Sequence, residues 1–453
     1  MIGDMFGQNS DGLLKPGLDF AFGLIGDSYI DKALENGWLI KNDNVATPAT
    51  VNSVNDLQIR AVLEPIRDLK IDLNASWTDN RARSIQYMYP GQPTTHSGSF
   101  NMTTISLKGS LAGIGDATND YPSSTFDHFR SLIPEFKDRV EAQYADAPQK
   151  HLDVNPYSAD VMVPAFLSAY TIGAGKSLSI FPAITRMLPN WSLRYTGLSR
   201  IQWVSDHLKS LTLSHAYKSV YSVGGYASYS AWQEYMNGLG FIKDQMTGGL
   251  MPSSMYNVST VSINEAFSPL FGVDATFLNN LSAKVEYRTT RVLSLSMTSV
   301  QLNEALSRDW VLGMGYKIQN FRLFTDGFSR KIGKVQKRSK SPNKSSSASN
   351  ASQDSKANST SSKSGVNHDL NLRLDISFRK QAAITRDIAS GMSSASSGNS
   401  AFKLSFMADY TLSRLMTITA YYDQQTNTPL LANSSYPTTT RDFGLSLKFS
   451  LTR

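Results

Sequence analysis

Apolar and polar side chains alternate at every second residue along most of this chain, and no other feature limits its fold as much. Over 69–78, Leu69, Ile71, Leu73, Ala75 and Trp77 fall on one side, against Lys70, Asp72, Asn74, Ser76 and Thr78. Over 370–379, Leu370, Leu372, Leu374, Ile376 and Phe378 oppose Asn371, Arg373, Asp375, Ser377 and Arg379. Over 402–411, Phe402, Leu404, Phe406, Ala408 and Tyr410 oppose Lys403, Ser405, Met407, Asp409 and Thr411. The last such segment sets Phe443, Leu445, Leu447, Phe449 and Leu451 against Gly444, Ser446, Lys448 and Ser450. A period of 3.6 would scatter these residues around a helix, whereas a period of 2 sorts them onto the two faces of a strand. Further matches lie at 57–63, 101–109, 191–195, 209–217, 258–263, 272–277, 281–297, 309–318 and 414–422. The pattern predicts about a dozen antiparallel strands, each near the 9–11 residues that cross a bilayer when tilted.

Composition narrows the field. The chain has 453 residues and no cysteine, which excludes a disulfide scaffold, thiolate metal sites and cysteine nucleophiles. No run approaches the roughly 18 apolar residues of a membrane helix, but strands cross a bilayer with half their residues polar. The net charge is +7, yet nine basic residues and one acidic residue sit in 330–363. Without that stretch 35 basic and 36 acidic residues remain, so the basic pI belongs to one loop and no basic nucleic-acid face is expected.

A soluble β-sandwich also alternates. Three features favour a transmembrane antiparallel β-barrel. The polar sides carry charges and amides in series, as a hydrated lumen would. Trp77, Tyr195, Tyr287, Trp310 and Tyr410 lie near strand ends, where an interfacial girdle sits. The chain closes on an amphipathic strand, Phe443, Leu445, Leu447 and Phe449, of the kind that outer-membrane barrels present for assembly. The lumen side is then Lys70, Asp72, Asn74, Arg373, Asp375, Arg379, Lys403 and Asp409. The lipid side is Leu69, Ile71, Leu73, Leu372, Leu374, Ile376, Leu404, Phe406, Leu445 and Leu447.

Along the chain the reading is a linker at 1–55, strands at 56–109, a partly helical loop insertion at 110–188 and strands at 189–323. A low-complexity basic loop at 324–367 and strands at 368–453 follow. In the insertion, helical pieces start after Ser123, break at Pro134, and resume towards Tyr144 and over 164–170. The segments 258–263 and 272–277 read as separate strands of undecided parity. The start MIGDMFGQNSDG has no export signal, which suggests a piece of a longer exported protein.

The search for chemistry is short. The six histidines show no metal-ligand spacing, and His215 alternates in phase with Leu213 and Tyr217 as a structural residue. GAGKS at 173–177 lacks the first glycine of a phosphate loop, since position 170 is Tyr170. Glu265, Glu286 and Glu304 read as scattered carboxylates. No enzyme, metal or cofactor is expected.

Five strings carry a resemblance: DLQIRAVLEPIRDLKIDLNASW, VPAFLSAYT, LPNWSLRYTGLSRI, LKSLTLSHAYKSVYSVGGY and INEAFSPLFGVDATFLNNLSAKVEYRTTRVLSLSM. Together with PGLDFAFG and KALENGWLI they resemble the C-terminal part of the SprA (Sov) family, outer-membrane translocons of type IX secretion in Bacteroidetes. The likeness runs over nearly the whole chain except the low-complexity loop. It implies the C-terminal portion of a single giant barrel wall, a passive channel for folded cargo bearing C-terminal signal domains. The partners it implies are outer-membrane lipid, a PorV-like shuttle, a plug protein and the upstream part of the same barrel. A self-closed porin-like or adhesin-like barrel of about twelve strands is the alternative.

Overall fold

The computed structural model describes residues 29–35, 47–86, 93–113, 115, 119–147, 153–236, 238–243, 248–319, 321, 369–413, 416–431 and 436–450. The low-complexity loop at 324–367 lies outside them. After a short helix, α1 (Tyr29–Glu35), come strands β1 (Ala49–Ile66), β2 (Leu69–Ile85) and β3 (Thr95–Thr103). Two helices follow, α2 (Ser124–Gln143) and α3 (Ala159–Tyr170), then β4 (Asn190–Tyr195) and a four-residue helix, α4 (Gln202–Ser205). Next are β5 (Leu208–Ser228), β6 (Gln233–Met236), β7 (Leu239–Lys243), β8 (Leu250–Ser253) and β9 (Tyr256–Val258). The remaining strands are β10 (Thr260–Phe277), β11 (Leu281–Ser296), β12 (Gln301–Ile318), β13 (Leu370–Asp387), β14 (Ser393–Ser413), β15 (Met416–Pro429) and β16 (Thr438–Phe449).

Thirteen strands form one sheet, every pair antiparallel, in the order β1-β2-β3-β5-β10-β11-β12-β13-β14-β15-β16. β4 lies between β2 and β5, β9 pairs β5, and β6–β8 form a separate three-stranded arm. The all-β antiparallel fold read from the alternation is the fold observed. No helix among the described residues is long and apolar enough to cross a membrane.

Several boundaries differ from the sequence reading. The long strands hold 16 to 21 residues in β5, β10, β11, β12, β13 and β14, well beyond a bilayer crossing. β1 begins at Ala49, inside the stretch read as linker. The segments 258–263 and 272–277 mostly join into one strand, β10, across a register shift between Phe267 and Phe271 that settles their parity. Pro269 has no N–H for the ladder, and the shift falls around it. Pro134 does not break α2, which runs through it with Ile133 and Phe136 buried on either side. Packing of both flanking turns holds a helix that propensity alone would end.

The insertion leaves the wall at mid-height. β3 pairs the upper half of β2 and β4 the lower half, so the two make one interrupted strand. Residues 104–189 emerge from the gap, where the backbone of neighbouring strands would lose partners. Side chains replace them. Ser76 N–H donates to Thr103 Oγ1 at 3.0 Å, and Ser219 N–H donates to Asn190 Oδ1 at 2.7 Å.

Candidate functional site: the two faces of the wall

The register carries the sequence alternation across the sheet. One line of paired residues reads Leu211, Ala275, Ala283, Met314, Leu374, Phe406, Tyr422 and Phe443, apolar or aromatic on eight successive strands. The next line reads Thr212, Asp274, Lys284, Gly313, Asp375, Ser405, Asp423 and Asp442, polar throughout apart from a glycine. Gly313 has a reason to be small: a Cβ there would lie 3.2 Å from Asp375 Oδ1 and 3.7 Å from Lys284 Cβ.

These lines place the sequence-selected residues. Leu69, Ile71 and Leu73 pair with Tyr195, Leu193 and Trp191, and Leu372, Leu374, Ile376, Leu404 and Phe406 share their face. Leu445 and Leu447 join it through Ala420 and Ile418. Phe443 and Phe449 lie there too, 84% and 64% exposed on the outer strand. Lys70, Asp72, Asn74, Arg373, Asp375, Arg379, Lys403 and Asp409 share the opposite, wet face. That face is laced with ion pairs, among them Arg379–Asp309 at 2.8 Å, Arg60–Asp72 at 3.5 Å and Lys284–Glu286 at 2.7 Å. Hollows of about 660 and 430 Å³ open on it, beside Arg60, Asp72 and Lys218 and beside Ser307, Gln381 and Asn399.

The aromatics form levels. Tyr287, Trp310, Phe378 and Phe402 make one register line, with the Tyr287 and Trp310 ring centres 4.6 Å apart and those of Phe378 and Phe402 4.9 Å apart, both pairs tilted. Immediately above, Arg308 and Lys380 pair on the same face. Tyr410 pairs with Leu370, and Tyr195 with Leu69, at the lower rim. Nine residues, 370 to 378, separate rim and belt on β13, about 27 Å along the strand. Trp77 sits higher and donates from Nε1 to Pro182 O at 3.1 Å, beneath the insertion.

Above the belt the dry face has a different cover. Register in β12 and β13 is unbroken from Leu370 to Asp387, so Ala382, Ile384 and Arg386 point the same way as Leu374. Here α2 and α3 lie on the sheet. Phe126, Phe129, Phe136, Met162 and Phe166 pack with Tyr221, Ile263, Leu293, Leu295 and Leu302 in one buried cluster.

Two buried ion pairs fasten this cover. Arg291 Nη2 lies 2.7 Å from Glu265 Oε2, with both side chains 2% exposed. The same guanidinium donates to Ser106 O at 2.7 Å and Lys108 O at 3.0 Å, and Tyr217 OH donates to Glu265 Oε1 at 2.9 Å. Arg386 Nη2 lies 2.9 Å from Glu304 Oε2 and donates from Nη1 to Tyr121 O at 2.6 Å. Each arginine spends some N–H groups on a wall carboxylate and others on insertion carbonyls, which satisfies a buried charge on both sides. Sequence reading passed over these residues as scattered. The available signal was phase: Glu265 and Glu304 alternate with Ile263 and Leu302, a charge on the dry side of a strand.

The remaining motifs are structural. His215 Nδ1 lies 2.7 Å from Leu270 O, its ring near Trp191 and Phe267. GAGKS lies in a loop directly after α3, with Gly173 and Gly175 at positive φ. In the insertion, burial and the charge of Asp160 push the Tyr144 hydroxyl up to about 12, and desolvation raises the Asp160 carboxyl, which accepts from Ser254 N–H at 2.8 Å.

No family model matches the chain, and no curated protein matches it. Among solved structures it is similar to OmpT, an outer membrane protein of Vibrio cholerae, in its trimer form, at 8% identity and TM-score 0.21 over 89% of this chain and 99% of that one. The loop L8 deletion mutant of OmpT matches at 6% identity and TM-score 0.20 over 89% and 99%. The architecture stands on its own hydrogen-bond register.

Proposed function

We propose that the chain is a stretch of transmembrane β-barrel wall in the outer membrane of a Gram-negative bacterium, with lipid on the lower dry face and water on the wet face. The observation that carries this reading is the pair of adjacent register lines, one apolar and one polar across eight strands. Lower dry-face residues such as Met314, Phe378 and Phe406 are 53%, 49% and 38% exposed, and no protein element among the described residues covers them. An aromatic line capped by Arg308 and Lys380 suits the upper boundary of a hydrocarbon layer. The nine residues from Leu370 up to Phe378 in that line match one tilted crossing.

The wall works as a passive protein-conducting surface of type IX secretion. Its wet face mixes both signs, with pairs such as Arg379–Asp309 and Lys284–Glu286 among them, so no field of one sign builds up to hold a passing folded protein. Cargo with C-terminal signal domains, a PorV-like shuttle and a plug protein are its partners by resemblance. In lipid every backbone group must be paired, so copies of the chain alone would have to pair edge to edge or close on themselves. Among the described residues the outer edges of β1 and β16 have no strand beside them. That favours further strands of a larger barrel, the upstream part of the same wall, over a self-closed porin-like barrel. Conductance of the purified chain in planar bilayers tests the choice. No steady pore is expected from the chain alone; a stable, SDS-resistant monomer with a constant small conductance would overturn the larger wall.

A further inference from the structure

At the lower rim, three successive connections show large apolar side chains to the outside. Ile66 ends β1 at the β1–β2 turn with 57% exposure, and Leu278 stands in the β10–β11 turn at 60%. Between them the chain from 196 to 207 carries Ile201 at 52% and Trp203 at 71%. Turn tips facing water normally hold small polar residues or glycine.

This excursion is held in place rather than hanging free. Gly197 lies against the Tyr195 ring, which puts the start of the excursion beside the dry face. Thr196 N–H donates to Asp68 O at 3.0 Å, and Arg200 Nη2 lies 2.9 Å from Asp68 Oδ2 in the first turn. At the other end Leu278 N–H donates to His207 O at 3.4 Å. Val204 is buried and points the short α4 into the rim, while the Trp203 indole, 5.5 Å from the His207 ring, faces outward.

We infer that this rim is a lipid anchor: Trp203, with Ile66, Ile201 and Leu278, seats in the headgroup region of a phospholipid bilayer and fixes the height of the wall. The inference rests on the membrane-wall reading and names the lipid partner of its lower edge. A tryptophan has an apolar body and a donor N–H, and its preferred solvent is that boundary. Arg67 is exposed at the same rim, where a guanidinium can reach a lipid phosphate. The rim lies directly below the apolar band, so both meet one bilayer.

The test uses the full chain and its Trp203→Phe variant in phosphatidylcholine vesicles whose acyl chains carry bromine either near the ester end or near the methyl end. The fluorescence that the variant lacks reports Trp203 alone. The expected result is loss of most of that difference signal with the shallow bromine and little loss with the deep one. Quenching of the other tryptophans without any loss of the Trp203 signal would overturn the anchor and leave the wall standing. Iodide in water as the sole quencher of Trp203 would overturn it likewise. If no tryptophan were quenched by either lipid, the wall reading and the anchor would fall together.

Discussion

The lower and upper halves of the dry face have the same alternation and different covers. In the belt and below it Trp310, Phe378 and Met314 stand 46 to 53% exposed. Above it Tyr221, Ile263, Leu293 and Leu302 are fully buried under α2 and α3. Alternation therefore says which side of a strand avoids water, and says nothing about what keeps water away. The distinguishing mark is charge. From Leu370 to Phe378 the dry phase of β13 holds none. Above, Glu265, Arg291, Glu304 and Arg386 stand in that phase. A protein cover can supply carbonyls to a buried guanidinium; hydrocarbon cannot.

The largest effect should come from breaking the upper cover at its fastening. Arg291→Ala leaves Glu265 buried without its partner and should cost about 3–5 kcal/mol. Denaturant unfolding would measure the loss, and limited proteolysis between α2 and α3 should speed up. Converting the pair to Glu265→Leu with Arg291→Met should recover only part of it, because the carbonyls of Ser106 and Lys108 lose their donor.

The lower half should answer to a different substitution. Leu374→Arg should cost about 2–4 kcal/mol in a bilayer if that position lies near the midplane, read as reduced folding into vesicles. Arg373→Leu, one residue away on the wet face, should insert as the unmodified chain does. Reversed outcomes would exchange the two faces.

A pH effect should reach the insertion through Asp160. Desolvation raises the folded-state value of Asp160, so its contribution is fully present below the ordinary aspartate value, about 3.9. It is lost as pH rises through the raised value. Asp160→Asn keeps an oxygen for the Ser254 N–H and should flatten that part of the pH dependence of insertion release. The smallest effect belongs to the wet face. Breaking the partly exposed Arg379–Asp309 pair with Arg379→Gln should change stability by less than about 1 kcal/mol.

These contrasts explain what was legible beforehand. Strand existence and phase follow from side-chain order alone, so Leu374 and Asp375 fall on opposite faces of β13. β10 read as two strands because Glu265 breaks its apolar phase and Pro269 its ladder, and only the partners Arg291 and Tyr217 explain the former. The mid-strand exit of the insertion was hidden, since Thr103 and Asn190 replace backbone partners more than 25 residues away in sequence. The Glu–Arg pins were hidden for the same reason: their partners come from distant strands and from carbonyls of the insertion.

The central claim is that the lower dry face meets lipid and the wet face meets water. The chain has no native cysteine, so single cysteines at each position from 370 to 379 can carry a spin label in reconstituted vesicles. Oxygen accessibility should peak at 372, 374, 376 and 378, and accessibility to a water-soluble nickel complex at 371, 373, 375 and 377. Two in-phase profiles, or nickel access at the leucines, would contradict it.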